Sequence, residues 1–453
     1  MSGETRKMVE FREETDLKNF DEFVGRKKGS FIQCSRWPKI KTYWKPYFFA
    51  GFRNGEQVLS CLVLERSLSV CGKIWYVPDG PLTDYSDPEI LSGFTSFIKD
   101  ELKKHSITAL LTDPHVALRI DHELCDDGVM LHEELIKLGY ILNFDVARYI
   151  YKSPIQYMIS LKKEDGTPYT EKELLKNCEK GVRYSVRIGE SRGLVCKNYT
   201  YKDLESDPKI LDDFSTVMRA TSDRDDFIEK KPEYVKNLMK VFEDSMTLSL
   251  VYYDRNFDKQ FEDERQKTLS ENLKKLENTD KTSVINRLTN ENETIKQQSE
   301  NYQKRVKIAD DYSSEEVFVV AGGLTVRFGG VASCLFGGSI DALRNETRSS
   351  HFVNYRRICD SIEQGCDFHD LGYVLVDNPS IPSDKTQIMG ELTPFKNFEG
   401  INSFKASLGA KLYQFEGEYV LVNNKLRYFI YSKLVPLVKK VKIKIMRFIR
   451  KVK

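Results

Sequence analysis

The chain of 453 residues reads as an α/β (α+β) protein of two similar lobes, with an antiparallel coiled-coil helical arm inserted in the second and a basic amphipathic tail at its end. Three observations predict this. Helical patterns alternate with short, mostly hairpin-like strand patterns twice along the chain. Residues 256–311 contain no Gly, Pro or Cys and interrupt strand-like runs on either side. From Lys425 to Lys453 there are eleven Lys or Arg and no Asp or Glu.

The first lobe is expected over 8–145. Phe20 and Phe23 sit in a short helix. Tyr47–Phe52 and Gln57–Glu65 alternate like a hairpin around Arg53-Asn54-Gly55-Glu56. Ile90–Lys104 is an amphipathic helix with Ile90, Leu91, Phe94, Phe97, Ile98 and Leu102 on one face. Ala109–Thr112 is a buried strand closed by Asp113-Pro114, and Leu131–Leu138 is a helix stopped by Gly139. The second lobe is expected over 146–255 and 312–423. Glu171–Ile188 reads as one helix with Leu174, Leu175 and Cys178 inward and Arg183 and Arg187 on a polar face. Val195–Asn198 begins a strand, Leu211–Ala220 and Lys231–Phe242 are helices, and Met246–Tyr253 is the strand before the arm. Beyond the arm, Val317–Val320, Leu324–Phe328 and Val331–Phe336 are separated by Gly322-Gly323, Gly329-Gly330 and Gly337-Gly338, which read as turns of a meander. A helix over His351–Glu363 and a strand over Phe368–Leu375 follow.

Within the arm, Ile285, Asn292, Ser299 and Val306 fall on heptad a positions, and Leu288, Ile295, Tyr302 and Ala309 on d positions. Phe257, Phe261, Leu269, Leu273 and Leu276 offer a rougher partner stripe. The polar link 278–283 supplies Thr279, Asp280 or Ser283 as a cap for the second helix. Each arm helix would reach roughly 30–38 Å at about 1.5 Å per residue. Such a hairpin serves either as a packing or dimer arm, for a homo- or hetero-dimer, or as an arm that touches a large extended substrate such as tRNA. The tail, 424–453, places Ile430, Leu434, Leu437, Val438, Val441, Ile445, Phe448, Ile449 and Val452 at helical spacing amid its cations. A helix of this kind suits a membrane interface; a tRNA-backbone contact and a helix docked on the body are the alternatives.

The bulk properties exclude several classes. The other 424 residues carry 59 basic against 68 acidic side chains, so any anion affinity of the tail is local. Nine scattered cysteines form no C-x-x-C pair, which suits a reducing compartment. The polar start, Met1–Glu10, is no signal peptide, and no run approaches the ~18 apolar residues of a membrane span. A cytoplasmic chain, at most peripheral to a membrane, is expected. His105, His115, His122, His132, His351 and His369 show no zinc-ligand spacing, and there is no G-x-S-x-G elbow. No metal and no cofactor is expected.

Positioning chemistry remains: isolated basic residues at strand ends and in Gly/Pro loops. Two segments fit. One is Ser30-Phe31-Ile32-Gln33-Cys34-Ser35-Arg36-Trp37-Pro38-Lys39-Ile40-Lys41, the other Tyr76-Val77-Pro78-Asp79-Gly80-Pro81-Leu82. With Thr221–Arg224, Asp226-Phe227 and Tyr234, and with Gly400-Ile401-Asn402-Ser403-Phe404-Lys405-Ala406-Ser407-Leu408-Gly409, these segments resemble the motifs of the FemABX peptidyltransferases, which include MurM-like enzymes. The resemblance runs over roughly 8–423. Two details depart from the family pattern: Leu408 stands where an aromatic is usual, and Arg36-Trp37-Pro38 replaces a smaller residue after the Trp.

The resemblance implies two N-acetyltransferase-like lobes and transfer of an amino acid from aminoacyl-tRNA to the stem-peptide amine of lipid II or its soluble nucleotide precursor, at the inner leaflet of the cytoplasmic membrane. It implies that Lys41 and Arg224 bind the acceptor's diphosphate, as a point charge and a forked guanidinium suit phosphate oxygens. Lys405 would stabilise the tetrahedral oxyanion. Asp113 would stand near the acceptor amine, whose proton it could take, unless desolvation lowers the amine's pKa. Tyr234 and Phe404 would contact substrate. Each also has a plainer reading: Lys41 as a solvated surface lysine, Arg224 as an ion-pair partner of Asp225 or Asp226, Lys405 as a turn lysine, Asp113 as a strand cap before Pro114, Phe404 and Trp37 as core. A CoA-dependent N-acyltransferase on the same double fold would need a Gly-x-Gly/Ala pyrophosphate loop, which is missing, and a membrane-associated coiled-coil adaptor would have no tRNA-dependent activity.

Overall fold

The computed structural model describes residues 8–68, 71–146, 149, 153–225, 227–377, 379, 382–396 and 399–433. Its strands are β1 (Glu10–Glu13), β2 (Lys45–Arg53), β3 (Glu56–Ser67), β4 (Lys73–Val77), β5 (Leu82–Thr83), β6 (Ile107–Thr112), β7 (Ala117–Ile120), β8 (Glu123–Leu124), β9 (Ile141–Asn143), β10 (Ile155–Ser160), β11 (Leu194–Tyr199), β12 (Met246–Asp254), β13 (Val317–Phe328), β14 (Val331–Ser339), β15 (Phe368–Tyr373), β16 (Lys411–Phe415) and β17 (Glu418–Val422). They form two sheets in a mixed α/β architecture. One runs β1-β2-β3-β4-β6-β17-β9 with β5 on β3; the other runs β11-β12-β13-β14-β15-β10-β16-β7-β8.

Each sheet holds one parallel pair in an otherwise antiparallel ladder: β4 with β6, and β14 with β15. A parallel pair needs a crossover. The helix Pro88–Lys104 supplies the first and buries Ile90, Leu91, Phe94, Ile98 and Leu102; Asp87 caps it and Pro88 opens it. The helix Ser349–Glu363 supplies the second and buries Phe352, Val353, Tyr355, Ile358 and Cys359. The sheets also exchange strands. β7 and β8, from within 8–145, lie in the second sheet, and β17, from within 312–423, lies in the first between β6 and β9.

Two expected elements are built differently. Glu171–Ile188 is two helices, Glu171–Asn177 and Lys180–Glu190, because Cys178 and Glu179 are extended. The Arg183 guanidinium replaces the missing helical bonds by donating to the carbonyls of Lys176 and Cys178 at 3.1 and 2.6 Å. Of the three glycine pairs, only Gly329-Gly330 is a turn, with φ of 56° and 83° between Phe328 and Val331. Gly322-Gly323 lies inside β13 and Gly337-Gly338 inside β14. They make room for neighbours. A Cβ on Gly323 would meet the Arg357 guanidinium and one on Gly338 the Thr221 hydroxyl. Arg357 is buried against β13, donating to Thr325 Oγ1 at 3.0 Å and to the Leu324 carbonyl at 2.8 Å.

The arm is two helices, Arg255–Glu277 and Thr282–Tyr312, running back along one another. Leu288, Asn292, Ile295 and Ala309 of the heptad series are buried on the second helix. The first helix buries Asp258, Glu262 and Asn272, not the apolar stripe read from its sequence; Leu273 is exposed. Polar pairs therefore cross the seam. Asp258 accepts two bonds from Arg305 at 2.9 and 2.7 Å, Asn272 bonds Asn292 at 3.1 Å and Gln266 bonds Ser299 at 2.9 Å. The second helix begins after Lys281 with no side-chain cap, so none of the three proposed caps closes it. At the arm's base Asp254 pairs with Val317, which brings its two ends side by side.

Residues 425–433 are helical, and Tyr431 packs into the core. The rest of the expected amphipathic tail, from Leu434, lies outside the described residues. Among those residues no helix is long and apolar enough to cross a membrane.

Candidate active site

The two motif segments of the first half are fastened to each other by side chains. Ser30-to-Lys41 forms two short 3-10 turns, Phe31–Gln33 and Trp37–Lys39. Gln33 accepts from the Ser30 N–H at 2.8 Å and donates to the Asp79 carbonyl at 2.8 Å. Asp113, at the end of β6, accepts from the Tyr76 hydroxyl at 2.8 Å and from the Asp79 N–H at 3.0 Å. Asp113 thus fixes the Tyr76-to-Leu82 loop with both carboxylate oxygens, a closer match to the strand-end reading than to a free base.

These loops form one side of a cleft of about 380 Å³. Phe31, Trp37, Lys41, Tyr43 and Asp79 line it from the first half; Gln156, Lys230, Tyr234, Cys334, Asp370, Gly372 and Tyr373 line it from the second. The halves are clamped at its rim by the ion pair of Lys28 with Asp367 at 2.5 Å. Of the residues singled out in the sequence, Lys41 and Tyr234 line the cleft. Lys405 stands at its wall, donating to the carbonyls of Gly372 and Tyr373 at 3.0 and 3.2 Å. Asp113 lines a smaller adjoining cavity that shares Asp79 and His115 with the cleft.

Arg224 and Phe404 are not among the lining residues. The Arg224 guanidinium is held by Asp341 at 2.8 Å, by Asp225 at 3.1 Å and by the Ser339 carbonyl at 2.9 Å. The Phe404 ring packs edge-on to His351 with centroids 4.9 Å apart. The cation beside Lys41 is instead Lys230, which the sequence reading passed over. Burial and the Lys230 charge hold the Lys41 pKa below its ordinary value. Burial also lowers the Lys405 pKa, against the pull of Asp370. A lysine six residues past Arg224, in a loop of mixed charge, carries no signal of its own in a single sequence.

A thiol also lines the cleft. Cys334 Sγ lies 3.2 Å from His369 Nε2, and His369 Nδ1 lies 2.8 Å from Ser361 Oγ. Burial raises the thiol pKa and lowers the imidazole's to about 3, so both stay neutral. A nucleophilic cysteine needs the opposite shifts. The wall therefore offers cations and buried hydrogen bonds, and this thiol is not an activated nucleophile.

The FemAB family model matches residues 15–435, and the chain belongs to the FemAB family; it is an aminoacyltransferase. Curated relatives include the lipid II:glycine glycyltransferases of Staphylococcus epidermidis, 25% identical over 94% of this chain and 96% of that protein, and of Staphylococcus aureus strain USA300, 25% identical over 95% and 97%. The crystal structure of FemX shares the fold, with a TM-score of 0.71 at 21% identity over 93% of this chain and 99% of that one.

Proposed function

We propose that this enzyme moves an amino acid from aminoacyl-tRNA to the stem-peptide amine of a lipid-linked peptidoglycan precursor, lipid II, or of its soluble nucleotide precursor, and so builds an interpeptide bridge. The observation that carries this reading is the near end-to-end match to lipid II:glycine glycyltransferases, joined to a cleft with paired cations at one end. Lys41 and Lys230 hold the acceptor's diphosphate, and Tyr234 and Trp37 pack beside it. The acceptor amine attacks the ester carbonyl; the new C–N bond forms, the ester C–O bond breaks, and the ribose hydroxyl leaves with the proton the amine sheds. The ester is already activated, so positioning and charge stabilisation supply the catalysis.

Lys405 stabilises the oxyanion of the tetrahedral intermediate, held toward the cleft by the Gly372 and Tyr373 carbonyls. Asp113 serves through the loop it fixes, as a positioning residue, and desolvation of the amine in the cleft replaces a dedicated base. Phe404 orients the helix that carries Lys405, and Arg224 fastens the end of its own helix to Ser339 and Asp341. Two lobes of the N-acetyltransferase kind, meeting at the cleft, fit the repeated pattern of a parallel pair with its crossover helix. The enzyme works at the inner face of the cytoplasmic membrane, with the basic tail as its anchor. The test is a transfer assay with tRNA charged with each amino acid in turn and lipid II as acceptor, alongside Lys405→Met. Formation of an amide-linked product, abolished in the variant, is expected. No transfer from any charged tRNA would overturn the reading.

A further inference from the structure

On the outer side of Lys405 the chain runs into a positively charged surface. The Glu179 N–H donates to the Ser407 carbonyl at 2.9 Å, so the helix Lys180–Glu190 begins against the end of the helix Glu399–Ser407 that carries Lys405. Lys180, Tyr184 and Arg187 follow at i, i+4 and i+7 and are exposed, forming one stripe about 10 Å long. The stripe leads to a cavity of about 780 Å³ between this helix and the arm, where Tyr184 and Arg192 form the body side. Arg192 donates to the Glu346 carbonyl, in the short helix Arg344–Thr347. Burial, with the Arg348 and Arg344 charges adding to it, lowers the imidazole pKa of His351, whose ring meets Phe404. Burial lowers the Arg192 pKa, the Arg305 and Arg348 charges add to this, and Asp258 opposes it.

The carboxylates here are already spoken for. Asp341 pairs with Arg224 at 2.8 Å and lies 4.0 Å from Arg344, and Glu346 pairs with Lys304 at 3.1 Å. Among the described residues, Lys180, Arg187, Arg192 and Arg348 have no carboxylate within ion-pair distance. Arg348 is moreover held at a φ of 58°, in the left-handed region, at the junction of two helices. Like charges gathered without counter-charges repel one another until an anion arrives, and a row of them matches a row of phosphates. The arm side differs. Its Arg305 and Arg265 are matched by Asp258 and Glu262, and Glu264 and Glu291 also line the cavity. The positive surface therefore belongs to the body, beside the arm.

We propose that the stripe of Lys180, Tyr184 and Arg187, continued by Arg192, Arg344 and Arg348, is the docking surface for the sugar–phosphate backbone of the donor tRNA's acceptor end, which it guides toward Lys405. This rests on the donor assigned above. Tyr184, 60% exposed, offers a ring for stacking against an unpaired base. The test uses the full chain with Arg187→Ala and Arg348→Asn, singly and together; asparagine tolerates the left-handed backbone. Binding of uncharged tRNA is measured across salt concentrations. Each substitution should weaken binding several-fold at low salt, and the pair should lower the log–log salt slope by about 1–2. Transfer from an aminoacylated dinucleotide, which lacks the rest of the acceptor stem, and the acceptor KM should stay at wild-type values. Unchanged tRNA affinity and slope in the double variant would overturn the surface while leaving the donor assignment intact. Loss of sedimentation with phosphatidylcholine–phosphatidylglycerol vesicles, with tRNA affinity kept, would assign the surface to a membrane and also overturn it. A wild-type enzyme that neither binds nor uses tRNA would remove the donor assignment itself.

Discussion

Lys41 and Lys230 bring two like charges to one cleft, an arrangement whose repulsion the proposed acceptor diphosphate would relieve. A hydrogen bond to a charged group is worth about 1.5–3 kcal/mol, so Lys41→Ala should raise the acceptor KM roughly ten- to a hundredfold. Lys230 is exposed at the mouth, so Lys230→Ala should raise it less, about three- to tenfold. Steady-state kinetics with lipid II and with an unphosphorylated pentapeptide separate the contributions, because the peptide should not register either loss. Arg224→Ala should act on stability more than on KM, given its three internal partners. The motif made Lys41 legible, since its neighbours carry a pattern; Lys230 becomes visible only once the fold brings its loop against the 30–41 turns. Glu416 supplies a second residue-level outcome. Burial raises its pKa to about 8, with Tyr419 donating to it at 2.6 Å. The folded state therefore holds a proton that the unfolded chain releases at about pH 4.5, and stability falls as pH rises between about 4.5 and 8. Glu416→Gln should leave the melting temperature nearly unchanged at pH 5 and raise it by about 2–4 °C at pH 9 in a thermal scan.

The arm and the strands around it show what an element's sequence reveals about itself. Heptad spacing located the second arm helix, and three of its four d positions, Leu288, Ile295 and Ala309, are buried together with Asn292 at an a position and Arg305. The first helix misled, because its apolar residues flank the seam while Asp258, Glu262 and Asn272 fill it. Such partners are recognisable only together, since Asp258 is acceptable inside only because Arg305 meets it. Both side chains are at most 1% exposed. Arg305→Met should therefore destabilise the fold by about 3–5 kcal/mol by stranding a buried carboxylate, and adding Asp258→Leu should recover most of that loss in denaturant titrations. If the single variant unfolds at the wild-type midpoint, the pair is not holding the arm. The glycine pairs and the helix break at Cys178 have the same explanation. A glycine read locally is a turn; here Gly323 and Gly338 yield space to Arg357 and Thr221, which arrive from distant helices. Local propensity favoured one helix across 171–188, and contacts with the segment around Ser407 and Leu408 divided it in two.

At the scale of the whole molecule, the cleft exists only because the two sheets meet, and the tail, from its sequence, would keep that cleft near a lipid-linked acceptor. Tyr431 belongs to the core, so the informative truncation ends at Lys433. That variant should keep its melting temperature and its activity on the soluble precursor, yet lose sedimentation with anionic vesicles and most activity on vesicle-embedded lipid II, as each surface-proximal cation contributes about 1 kcal/mol on an anionic leaflet. Unaltered vesicle binding would place the membrane contact elsewhere. The two sheets were legible as two runs of helices and strands. The exchange of β7, β8 and β17 between sheets was not, because strand order depends on pairing across hundreds of positions. That exchange also sets an order of events at the ribosome. The first sheet is open between β6 and β9 until β17 fills the gap, and Asn143 waits for Glu418, 275 positions later. The emerging N-terminal segment must stay soluble with an unpaired strand on each side of the gap while the 275 positions from Asn143 to Glu418 are made. A fragment ending at residue 145 should be insoluble or protease-sensitive. Supplying 146–453 in the same cell should rescue it, making the protein's two halves complementary pieces of one folding unit.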